Sequence, residues 1–207
     1  MKSRVTVLKT SPETVIQDYA KLLDKSNYKK YISKDVTTIL KLNLSWSKYF
    51  PACSTEPWQL EGVIKKMQED GYKKIIPAEN RTVVTDVWKG ARDNKWLPIL
   101  KKYNLKYQPL TDVKWVDYKP KGEMLALHRI FDDGYQIPKM FIGSNVIHMC
   151  TQKNHGHTVI TGAIKNAFGG LITEKRHHCH KKIHEVLVDL LTIQKELHKG
   201  IFAVADG

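Results

Sequence analysis

Short β-branched apolar runs alternate along this chain with longer stretches of helical periodicity. A chain written that way has few options, because each strand needs its neighbours and each amphipathic helix needs a sheet face to cover. Strands are expected over residues 4–9, 36–44 (VTTILKLNL), 73–77 and 201–205. Two more apolar pieces flank Gly143-Ser144 within residues 139–150, and short strands are expected in 106–118 and 125–137. Ser11-Pro12-Glu13 reads as an N-cap followed by proline at the first helical position, opening a helix to about residue 24. Further helices are expected over 57–70, ended by Gly71; over 85–103, broken near Pro98; over 158–168, stopped by Gly169-Gly170; and over 181–199. The fold class that follows is α/β, a mostly parallel sheet with helices on both faces in a Rossmann-like three-layer arrangement. No repeat, low-complexity tract or Gly/Ser linker interrupts it, so a single domain over residues 1–207 is expected.

Val5, Val7 and Leu8 make too short an apolar stretch for a signal peptide, and no run approaches a membrane span. No membrane association and a cytoplasmic location are therefore expected. Cys53, Cys150 and Cys179 are scattered and form no CxxC pair, which argues against a disulfide framework and fits a reducing compartment. Three cysteines also cannot supply the four ligands of an iron–sulfur cluster from this chain alone. The net charge of +13 points to anionic partners: nucleic acid, phosphorylated cofactors or acidic metabolites. Lysines outnumber arginines 29 to 5, however, and the arginine fork is the usual reader of phosphates and bases. From nucleic acid the expectation is weak, non-specific binding. A merely solvated lysine-rich surface is the better account of the charge as a whole, and the pattern carries no signal of oligomeric state.

In parallel sheets ligands gather in the loops beyond the carboxyl ends of strands. Two loops qualify. The first follows strand 36–44 and carries Ser54-Thr55 just before the helix at Pro57, where free N–H groups would suit an anion and simple capping is the alternative. The second follows Cys150 and is richer. Residues 153–182 hold six basic side chains against one acid, Glu174, together with five histidines. Lys153-Asn154-His155-Gly156-His157 leads into the expected helix, on which Thr161 and Lys165 would share a face one turn apart. That is a cradle for phosphate or carboxylate, or else a solvent-facing loop before an ordinary helix. Arg176-His177-His178-Cys179-His180 follows, with His184 one helical turn beyond His180. His180 and His184, joined by His155 and His157, are candidate ligands for a divalent metal; a hydrated histidine cluster is the alternative. No HExxH, Walker loop, GxGxxG or Ser-His-Asp order is present. His180 and Lys165 are the candidate catalytic groups, since histidine titrates near neutrality and a lysine desolvated among cations becomes a base or nucleophile.

Several short motifs stand out together: Lys41-Leu42-Asn43, Ser54-Thr55-Glu56-Pro57, Lys153-Asn154-His155, Thr161 with Lys165-Asn166 and Gly169, Arg176 with His180, and the terminal Asp206-Gly207. Their order resembles the domain-of-unknown-function family 362, whose members carry a "K-P-N" strand end, an "S/T-T-x-P" turn, a "K-x-H … T-x-x-x-K-N-x-x-G" segment and a downstream "R-x-x-x-H". The likeness runs from about residue 36 to the end, diffuse before Cys150 and specific after Lys153. It implies an α/β fold. It also implies ligand-binding roles for Lys41, Asn43, Ser54, Thr55, Lys153, His155, Thr161, Asn166, Arg176 and Asp206, with Asn166 orienting the ligand. Members of the family usually continue past the "DG", so the resemblance implies a C-terminally short version of the family domain, a fragment, or half of a split system. Some carry a ferredoxin-like module that this chain lacks, which makes an accessory role toward an iron–sulfur partner the third reading. The first is an enzyme or cofactor-binding protein for an anionic small molecule, and the second a basic nucleic-acid-binding module. If the first holds, Lys153 or His155 must share a pocket with Lys165 and His180, and Asp206 should point into it to offset their charge.

Overall fold

The computed structural model describes residues 4–132, 134–171 and 174–207, with the side chains of residues 174–176 outside that description. Its centre is a five-stranded parallel sheet of β1 (Thr38–Lys41), β2 (Ile75–Glu79), β3 (Gln108–Pro109), β6 (Asn145–Thr151) and β9 (Gly200–Asp206), in the order β3-β2-β1-β6-β9. Two antiparallel pairs lie outside it: β4 (Trp115–Tyr118) with β5 (Tyr135–Pro138), and β7 (Lys153–His155) with β8 (Val159–Thr161).

Side chains along the central strands alternate between two cores, as a period of two requires. Leu40, Leu42, Ile147, Met149 and Val204 face α1 (Val15–Lys25), α2 (Pro57–Glu69), α3 (Val87–Asp93) and α4 (Trp96–Lys102). Ile39 and Ala78 face the opposite way, into a core built with Phe168 and Leu171 of α6 (Ala163–Leu171), with Ile183, Val186, Leu190 and Ile193 of α7 (Ile183–Leu197), and with Leu127 of the short α5 (Leu127–Ile130). Helices therefore cover both faces of a parallel sheet, the three-layer α/β arrangement anticipated above.

Three local expectations fail for identifiable reasons. Residues 4–9 form no strand; Val5 and Val7 are 82% and 88% exposed, so nothing rewards their β propensity with burial. The helix break falls at Asn94-Lys95, where Lys95 is left-handed and Asn94 Nδ2 donates to the carbonyls of Gly90, Trp46 and Ser47. Pro98 then sits in the first turn of α4, where no backbone N–H is needed. Residues 158–162 are not helical. Thr158, Val159, Ile160 and Thr161 are all β-branched, and the segment folds back on β7 as a hairpin, so α6 begins only at Ala163. Thr161 and Lys165 therefore do not share a helical face, and α6 runs through Gly169-Gly170 instead of stopping there.

The strand order reverses between β1 and β6: the chain builds outward from β1 to β3, then returns to the other side of β1. The crevice outside the carboxyl ends of these two strands is where an open α/β sheet accommodates a ligand.

Candidate functional site

A cleft of about 1260 Å³ opens at that reversal. The segment after β1 contributes Asn43, Ser45 and Trp46; the loop after β2 contributes Arg81 and Val83 to Trp88; the stretch after β6 contributes Lys153, His155, Thr161, Lys165, Asn166, His177 and His180. Lys153, His155, Lys165 and His180 thus share one cleft, although they come from a strand, a helix and the 3-10 segment Glu174–Lys182.

Its floor is a hydrogen-bonded network. Lys41, 2% exposed, donates to Glu79 Oε1 at 2.6 Å and to the Leu42 carbonyl at 2.7 Å. Glu79 also accepts from the Asn80 N–H, and Asn166 Nδ2 reaches the Lys41 carbonyl at 2.9 Å. A Cβ on Gly170 would stand 2.4 Å from Lys41 Cε, so glycine in mid-helix is what lets the lysine stem pass beneath α6. That accounts for Gly170 inside a helix despite a cost of about 1 kcal/mol relative to alanine.

The rim beside β1 is equally committed. Lys153 donates to Asn43 Oδ1 (2.6 Å), to Ser45 Oγ (2.7 Å) and to the Cys53 carbonyl. Those three bonds use all the protons of its ammonium, and burial pulls its pKa down. Ser54 and Thr55 do not present free groups to an anion. Thr55 Oγ1 accepts from the Asn43 N–H and donates to the Met149 carbonyl, while Ser54 Oγ accepts from the Ser45 N–H and its carbonyl accepts from Thr151 Oγ1. Cys150 also borders the cleft, but burial raises its thiol to about 11, which leaves it protonated at neutral pH.

The far wall differs. The ring centroid of His180 lies 4.9 Å from that of His157, 6.2 Å from His155 in nearly parallel orientation, and 5.4 Å from Phe168, over which Lys165 Nζ stands at 4.8 Å. Desolvation, then the Lys165 charge and the neighbouring imidazoles, hold His155 below its usual pKa. Desolvation likewise lowers His180, partly opposed by its bond to the His177 carbonyl. Neutral His180 donates from Nδ1 to that carbonyl (2.9 Å), which leaves a lone pair on Nε2. His155 Nδ1 instead accepts the His157 N–H (3.1 Å), so the neutral ring carries its proton on Nε2. One imidazole is set to accept a proton and the other to give one.

Several expected site residues lie elsewhere. Asp206 does not line the cleft; it accepts from the Tyr19 hydroxyl at 2.8 Å, and the cleft's buried acid is Glu79. His184 is exposed on α7, which starts only at Ile183, so His180 and His184 are not a helical i, i+4 pair. Among the described residues no group of three or more His, Cys, Asp and Glu is arranged to hold a metal ion. The Arg176 side chain lies outside the described residues. Sequence reasoning missed Glu79, Arg81, Trp46 and Trp88. The available signal was an acid closing the apolar strand Ile-Ile-Pro-Ala-Glu, followed by Val83-Val84 in a polar loop beyond a strand end.

Fold and cleft together define an open α/β protein with a lysine- and histidine-lined crevice at its topological switch point. The chain belongs to the family described as Domain of unknown function (DUF362), whose model matches residues 38–207 and so takes in every residue that lines the cleft. No curated protein and no solved structure matches it. Among the described residues no helix is long and apolar enough to cross a membrane.

Proposed function

We propose that this protein binds an anionic small molecule in the switch-point cleft and acts on it, or holds it, through Lys165, His155 and His180. The observation that carries this reading is the convergence of these three side chains on one cleft, where desolvation and the Lys165 charge lower both imidazoles and an anion brought beside them would restore their proton affinity. Lys41, Asn43, Lys153 and Asn166 are assigned to scaffolding, since their polar atoms already serve one another. The opposed tautomers of His155 and His180 suit proton transfer, with His180 Nε2 as acceptor and His155 Nε2–H as donor.

The test uses sulfate, whose charge is constant across the neutral range. Both histidines are held below their usual pKa in the free protein, so a bound anion draws protons onto them and affinity rises as pH falls. Titration calorimetry should show tighter binding at pH about 6 than at about 8. Lys165→Ala and His180→Ala should each weaken binding by about tenfold with thermal stability intact. Unchanged affinity in both variants would sink the assignment.

A further inference from the structure

Beside the cleft mouth, two neighbouring segments hold large apolar side chains out in water. Trp46, Tyr49 and Phe50 follow β1 and are 51%, 37% and 51% exposed. Val83, Val84 and Trp88 follow β2 and are 83%, 62% and 50% exposed. The segments touch: Ser47 Oγ accepts the Asp86 N–H at 2.9 Å, and Asn94 Nδ2 donates to the Trp46 carbonyl at 3.2 Å. Both are also pinned. The buried Glu56 carboxylate accepts from the Tyr49 hydroxyl at 3.2 Å and from the Ala52 N–H at 2.6 Å, which closes the first segment into a fixed loop. In the second, the Thr82 and Thr85 hydroxyls bond at 3.0 Å, and Trp88 packs edge-on against Tyr107. Folding fixes this frame yet leaves the side chains outside, as on a surface kept for a partner.

The charges among them indicate which partner. Residues 46–52 and 81–95 carry five cations, Lys48, Arg81, Lys89, Arg92 and Lys95, against two acids. Asp86 caps α3 by accepting the Lys89 N–H, and Asp93 pairs with Lys89 and Arg92. The patch therefore keeps a net positive charge around its aromatics. A second copy would set cation against cation, on a chain whose net charge is +13. An anionic bilayer answers both features. Indole and phenol rings settle at headgroup depth, and lysine and arginine are drawn to the lipid phosphates. We propose that this rim docks on an anionic membrane surface. Trp46, Phe50, Val83 and Val84 dip among the headgroups, Lys48 and Lys95 meet their phosphates, and the cleft mouth turns toward the bilayer. Such contact needs no spanning segment, so the expectation of no membrane association, which rested on span length, does not bear on it.

Vesicles of equal parts phosphatidylglycerol and phosphatidylcholine should carry the protein in flotation at about 0.1 M salt and shift its tryptophan emission to the blue. Vesicles of phosphatidylcholine alone should do neither. Lys48 and Phe50 lie outside the cleft lining. Lys48→Glu and Phe50→Ala should each weaken binding to the anionic vesicles by about tenfold, with thermal stability and sulfate binding unchanged. Lys73→Glu makes the same change of charge on an exposed residue just before β2, at the opposite, amino edge of the sheet, and should leave vesicle binding unaltered. Equal losses in Lys48→Glu and Lys73→Glu would overturn the proposal, because the vesicles would then be responding to net charge alone. No binding to the anionic vesicles would overturn it too, giving the patch to a protein partner. Sulfate binding enters neither outcome, so the anion reading stands or falls separately.

Discussion

Lys41 and Lys165 border the same cleft on opposing elements, yet their surroundings have little in common. Lys41 is sealed under α6 with its charge answered by Glu79 at 2.6 Å, whereas Lys165 is partly open to solvent over the face of Phe168. The same contrast divides the histidines. His148 and His198 are buried against the core, the first bonded to Gln194 and the second to Ser144, while His155 and His180 border the opening. One set of charged and titratable groups holds the scaffold together; the other borders the opening of the cleft. Motif residues fall into both sets, so membership of a motif does not by itself indicate contact with a ligand.

The contrast is broken most forcefully at the buried pair. Lys41→Met removes the ammonium that Glu79 accepts from in a dry site, and chemical denaturation should show a loss of about 3–5 kcal/mol. A loss below about 1 kcal/mol would mean that water reaches the pair and that it belongs with the open wall.

Acid offers a second way to separate the two sets. Burial drives His148 to about 3 and His198 to about 4, from 6.5 for a free histidine. Below pH 6.5 the unfolded chain takes up protons that the folded one refuses. Stability is therefore full above that pH and drains away as pH falls toward the folded values, at about 1.4 kcal/mol per unit for each histidine. By pH 5 that amounts to roughly 2 kcal/mol apiece, and His148→Gln should flatten the fall by its share. An identical acid slope in wild type and variant would show that His148 already carries its proton in the folded state.

The smallest effect is expected at the open wall. Lys165→Met keeps the stem over Phe168 and removes only the charge, so stability should move by less than about 0.5 kcal/mol even as sulfate binding weakens. A large destabilisation would transfer Lys165 to the scaffold set.

Much of the fold was legible from periodicity. β1, α2, α7 and β9 lie close to their expected positions because β-branched runs and apolar stripes there agree with the burial they receive. The hairpin at β7–β8 was not legible. Ile160, Ala163, Ile164 and Ala167 fit a helical stripe, yet Ile160 is 64% exposed and pairs with Asn154 across the hairpin. Local backbone preference prevailed over an apolar pattern that had no sheet to face. In the cleft, the charge-dense residues 153–182 supply Lys153, His155, Lys165, His177 and His180 to the lining. Charge density could not reveal that Lys153 spends its protons on Asn43, Ser45 and Cys53, since those partners are about a hundred residues away in sequence. Nor could it reveal Glu79, an acid whose importance depends on strand neighbours.

The close passage of Lys41 beneath Gly170 bears on how sequences of this kind drift. Positions 41 and 170 divide one fixed volume between them, and position 79 supplies the charge that makes a lysine tolerable inside it. A side chain gained at 170 demands a shorter residue at 41, and a neutral residue at 41 leaves an acid at 79 without its reason. Three sites far apart along the chain are thus bound to change in concert, and a substitution harmless in one relative will be ruinous when moved alone into another.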